Sequence, residues 1–284
     1  MLLISFFGET TCTNSSSLHC RRSARKAAPY VTIECYFDDS SDQRREKYYA
    51  CAGLLGSAYK WDSLNALWSL ETHELRKPFR ASECECGHGQ FEDWPRAKRN
   101  DLMRRLTGVI YRRNLYGFVS IVPLEAYKEV FPDCGQHDAF LLAATQTIMN
   151  MAYLAHTMRK DAALWFESCE TNVAINAVFD SVVAFKEWRP ARHLRSISFE
   201  VKRVYGLQAA DLVAREAFKY IDDRGMWPPR KPLLRLKDVL CFTVWNRQAL
   251  GYLASSGGQS NLGLLATWDA HSEAPRLDHF WKNF

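Results

Sequence analysis

The stretch that most constrains this chain is 206–221, because it places an acid where an apolar helix face should be. Leu207, Ala210, Ala214, Ala217, Phe218 and Ile221 recur three and four residues apart, the spacing of a single helical stripe. Asp211, four residues after Leu207 and seven before Phe218, falls inside that stripe. A carboxylate buried alone is costly or takes up a proton, so a cation, a set of backbone N–H groups or a metal must compensate it. The competing reading makes Asp211 an N-cap, with the helix beginning one residue later. Which holds depends on the partners the rest of the chain supplies.

Upstream, hydrophobic periodicity predicts alternating strands and helices. Val31, Ile33, Cys35 and Phe37 alternate with Thr32, Glu34, Tyr36 and Asp38, which predicts a strand ending in an acidic turn over 38–42. Tyr48 to Leu55 reads as its antiparallel hairpin partner. Further strands are expected over 115–122, 162–166 and 196–201, and helices over 59–76, 95–113, 137–158 and 172–188; residues 78–94 read as irregular. This order predicts an α/β domain with a mixed sheet over 30–223. A disordered leader is expected over 1–29. A small C-terminal accessory region without an assigned role is expected over 224–284, entered through the rigid basic connector Trp227 to Pro232.

Composition narrows the function classes. With 47% hydrophobic and 24% charged residues, the chain has the make-up of a soluble globular protein, and no apolar run reaches the eighteen or so residues of a membrane span. Nine cysteines, odd in number and scattered, read as reduced thiols in a cytoplasmic protein. The formal net charge of +5 is compatible with a nucleic-acid partner. No Walker or dinucleotide fingerprint is present. Cys84, Cys86 and His88 lack the ligand spacing of a structural zinc site.

Carboxylates at strand ends carry the chemistry. Open α/β sheets gather ligands outside the ends of their strands. Asp38 and Glu167 each close a predicted strand, and Asp211 on its helix would join them. Three acids in one place need a cation, and hard oxygen ligands suit Mg²⁺ or Mn²⁺. Such ions hydrolyse phosphodiesters by activating water and stabilising the leaving oxygen. A fourth acid would come from Glu83 or Glu85. Lys98, Arg104, Arg105 and Arg112 point off the apolar stripe of their helix, as either a solvated or a phosphate-facing surface.

Several of these residues also carry a resemblance. Tyr36-Phe37-Asp38-Asp39-Ser40, the loop Phe79-Arg80-Ala81-Ser82-Glu83, the Phe166-Glu167 strand end and Leu207-Gln208-Ala209-Ala210-Asp211 together look like the domain-of-unknown-function 3800 family. That resemblance implies a ribonuclease H-like mixed sheet flanked by helices, with Asp38, Glu83, Glu167 and Asp211 as catalytic metal ligands. Asp39 stands where the family usually has Glu, and Arg80 where many members have His, which removes a possible general base. The expected function is a divalent-metal-dependent nuclease acting on RNA or DNA; the alternative is a catalytically inactive nucleic-acid- or partner-binding module. Asp39, Arg80, Lys202 and Gln208 are expected to orient substrate or organise the site.

Overall fold

A computed structural model describes residues 32–42, 44–223 and 230–255. The expected leader, the first half of the connector and the end of the accessory region lie outside the described residues. The elements are β1 (Thr32–Ser41), β2 (Tyr48–Ser57), α1 (Ala58–Glu71), α2 (Ala81–Cys86), α3 (Arg96–Arg112), β3 (Tyr116–Pro123), α4 (Leu124–Val130) and α5 (Gln136–Thr157). They continue with β4 (Asp161–Glu167), α6 (Asn172–Ala184), β5 (Leu194–Glu200), α7 (Tyr205–Asp222), α8 (Lys231–Arg235), β6 (Leu240–Val244) and α9 (Arg247–Ser255).

The six strands form one sheet in the order β5-β4-β1-β2-β3-β6. β2 runs antiparallel to β1 and β3, whereas β4 is parallel to both β1 and β5. The result is the expected α/β class, a mixed sheet flanked by helices. Two apolar cores cover its faces. Ile33, Cys35 and Phe37 pack with α5 and α6 on one side, while Ala50, Ala52 and Leu54 pack with α1, α3 and α7 on the other. Strand alternation therefore turns Tyr36 and Asp38 toward α7.

Four departures from the sequence expectation have physical causes. β1 does not turn at Asp38: its ladder with β2 continues from Asp38↔Ala52 to Ser41↔Tyr49. The turn proper is closed by the Asp42 carboxylate, which accepts hydrogen bonds from the Glu46 and Lys47 amides at 3.0 and 2.9 Å. Residues 78–94 are more ordered than expected, because Gln90 donates to the Lys77 and Pro78 carbonyls and Arg99 donates to the Cys84 and Glu85 carbonyls at the end of α2. The short helix α4 was not foreseen. Finally, 240–244 is no separate appendage: it pairs parallel to β3 as the sixth strand.

α7 crosses β1 at very close range, and glycine makes this possible. A Cβ on Gly206 would stand 2.5 Å from Cγ of Tyr36. Gly206→Ala should therefore cost about 1–3 kcal/mol by overpacking, measured as a lowered urea midpoint with an unchanged slope; an unchanged midpoint would show that α7 has room to move.

Candidate active site

The sheet brings two acids together by register alone. Phe37 of β1 is paired with Phe166 of β4, and the strands are parallel, so the next residues, Asp38 and Glu167, end side by side. β5 ends at the same edge with Glu200, paired with Glu167, and Lys202 follows in the turn that leads into α7. Asp211 then projects from the second turn of α7. It lies well inside the helix and is 9% exposed, so the N-cap reading is excluded.

These side chains converge on Lys202. Its ammonium donates to Asp38 Oδ2, donates to Glu167 Oε2 at 2.9 Å and stands 4.0 Å from Asp211 Oδ2. Lys202 itself is only 6% exposed. Each acid has a further donor. Asp38 Oδ1 accepts the Asp39 amide at 3.0 Å, Asp211 Oδ2 accepts the Ala81 amide at 2.8 Å, and Glu167 Oε1 accepts Arg80 Nη2 at 2.7 Å. Gln208 holds the turn from behind: its amide nitrogen donates to the Lys202 carbonyl at 2.9 Å, and its oxygen accepts from Trp68 Nε1 at 2.9 Å and from the Phe79 amide at 3.3 Å.

The cluster is short of positive charge. Three carboxylates face two cations; Asp39, exposed at the rim, adds a fourth acid, which Arg45 opposes. Burial pushes the Asp38 carboxyl well up; Lys202 opposes this, and Asp211 and Asp39 add to it. Burial alone would depress the Lys202 ammonium, but Asp211, Asp38 and Glu167 outweigh it and raise it. Lys202 accordingly keeps its proton, and Asp38 is the acid of this cluster whose charge burial opposes most. Glu167, which burial alone would raise, is held below the usual range by Lys202 and Arg80.

Glu83 does not join this group. It sits on α2, and its carboxylate folds back over Gly89, so close that a Cβ there would be 2.9 Å from Oε2. Glu85 is committed elsewhere, to Arg215 and Arg230. The expected four-acid site is thus a three-acid site around a lysine. Lys202 and Gln208, expected only to orient, are its centre and its support. Arg80, which looked like the loss of a base, supplies the second cation.

The donor set fits a divalent ion in chemistry: oxygen ligands only, with negative charge in excess. As arranged, however, the acids surround an ammonium, and no three His, Cys, Asp or Glu side chains among the described residues form a metal-binding group. The α3 cations are mostly neutralised in place, which favours the solvated-face reading. Lys98 pairs with Glu74, Arg104 with Asp101, and Arg105 with Glu71 and Asp101. None of the seven described cysteines is in a disulfide, and no described helix is long and apolar enough to cross a membrane.

No protein-family model and no curated protein sequence matches the chain. Among solved structures it is similar to Bst-RNase HIII in complex with Mn²⁺, at 8% identity and a TM-score of 0.42 over 99% of this chain and 80% of that one. It is also similar to a glutamine-to-alanine mutant of Bst-RNase HIII, at 10% identity and a TM-score of 0.43 over 96% and 79%. A likeness this distant assigns no role to any residue.

Farther along α7, Glu216 is fully buried at 3.2 Å from Arg230. Burial raises its carboxyl from 4.5 to about 7 despite the pull of Arg230. The folded state therefore binds this proton more tightly than the unfolded chain does. The resulting stability is complete below about pH 4.5 and is lost as pH rises through about 7. Urea unfolding should show Glu216→Gln gaining on the parent between pH 5 and pH 8 by up to about 3 kcal/mol; a gain independent of pH would contradict a raised carboxyl.

Proposed function

We propose that this chain is a divalent-metal-dependent hydrolase of nucleic-acid phosphodiesters, of the type implied by its resemblance to the domain-of-unknown-function 3800 family. One observation carries the reading: Asp38, Glu167 and Asp211, from two strand ends and a helix, reach one point with more negative charge than Lys202 and Arg80 balance. Mg²⁺ or Mn²⁺ held by these three acids would activate water and stabilise the leaving oxygen.

The remaining roles belong to the protein's own side chains. Arg80, with its side chain 45% exposed, stays tethered to Glu167 while presenting guanidinium N–H groups to an incoming phosphate. Gln208 fixes the backbone of Lys202, and the Ala81 amide orients Asp211. Asp39 lies exposed at the rim, where it limits how closely an anionic substrate approaches.

A second reading has its own observation. Lys202 already fills the focus of the carboxylates and Arg80 already bonds Glu167, as in a binding module that has replaced a metal with side-chain cations. Thermal unfolding in millimolar Mn²⁺ separates the two. The hydrolase reading expects a rise in Tm of several degrees that Asp211→Asn abolishes, together with Mn²⁺-dependent cleavage of short oligonucleotides. Equal curves with and without Mn²⁺, and intact oligonucleotides, would favour the inert module.

A further inference from the structure

We propose that Lys202 is a displaceable resident cation: its ammonium holds the carboxylate site closed without metal, and a divalent ion binds only by expelling it. The inference rests on the metal-dependent reading above and adds the manner of loading.

The geometry makes the two cations mutually exclusive. The ammonium donates to Asp38 Oδ2, stands 2.9 Å from Glu167 Oε2 and is 4.0 Å from Asp211 Oδ2. A small divalent ion needs carboxylate oxygens at about 2.0–2.2 Å, so it would occupy the same space and repel the ammonium from it. The acids themselves need little change of anchoring, since the Asp39 amide, Arg80 and the Ala81 amide hold them independently of Lys202.

The local structure also allows the exchange. Gln208 pins the Lys202 carbonyl, so the backbone stays while the flexible four-carbon stem swings. The flanking residues Val201 and Arg203 are exposed, which places water within reach of a released ammonium. Nothing comparable holds for Arg80, whose guanidinium approaches Glu167 from the solvent side and leaves the other oxygen of that carboxylate to Lys202.

Two measurements on the full chain test this, with Mn²⁺ alone as the probe. Lys202→Met keeps the stem and removes the charge. It should lower the metal-free Tm and tighten Mn²⁺ binding at least tenfold, read by the free-Mn²⁺ paramagnetic resonance signal, whereas Lys202→Arg should not tighten it. Because the Met variant risks unfolding, the wild type provides a second readout. Reductive methylation followed by peptide mass spectrometry should find Lys202 protected without Mn²⁺ and modified at saturating Mn²⁺. Mn²⁺ binding by wild type with Lys202 still protected, or equal affinity in wild type and Lys202→Met, would overturn the exchange while leaving the metal site standing. Absence of Mn²⁺ binding in both proteins would overturn the metal reading and the exchange with it.

Discussion

One ammonium stands among three carboxylates that the fold forces together and offsets part of their repulsion. Asp38, Glu167 and Asp211 lie on β1, β4 and α7, and without Lys202 they would meet as buried like charges. Like charges brought together out of water repel strongly, so a cation among them is a condition of the arrangement. The turn after β5 thus serves electrostatics as much as connectivity: it delivers the cation to the one edge of the sheet where the strands deliver their acids. The site remains short of positive charge even so, and the proposed metal would supply what is missing.

The architecture produces this meeting point by simple means. Parallel pairing of β1 with β4 and of β4 with β5 puts three strand ends at one edge. Glycine at 206 lets α7 lie directly on Tyr36, bringing Asp211 down to the level of Asp38. Trp68, Phe79 and Lys202 share a single glutamine, so α1, the loop before α2 and the lysine turn are fixed relative to one another. α2 is further tied to α7 by the Ala81 amide on Asp211 and by Glu85 on Arg215. The acidic cluster is therefore continuous with packed structure on every side from which an acid enters.

How much of this could be read from the chain depended on periodicity. Asp211 was legible because a regular helical stripe makes one acid conspicuous, and Asp38 and Glu167 because each follows an alternating or apolar strand. The central place of Lys202 was not legible, since it sits in a short turn with no pattern, where a lysine is ordinary. Resemblance alone favours Glu83 over Glu85, and neither reaches the cluster: one folds onto Gly89 and the other is held by two arginines. β6 was missed because a five-residue strand beyond a proline-rich connector has too few positions to show alternation, and its place was decided by pairing with β3.

Three distant acids share one cation position, filled by a lysine and, on the proposed function, open to a metal. The most direct measurement is an anomalous difference map from crystals soaked in Mn²⁺. The account predicts a peak bounded by Asp38, Glu167 and Asp211, with the Lys202 side chain swung out. A peak ligated by Glu83 instead, or saturating Mn²⁺ that leaves Lys202 bonded to Asp38 and the cluster without density, would contradict it.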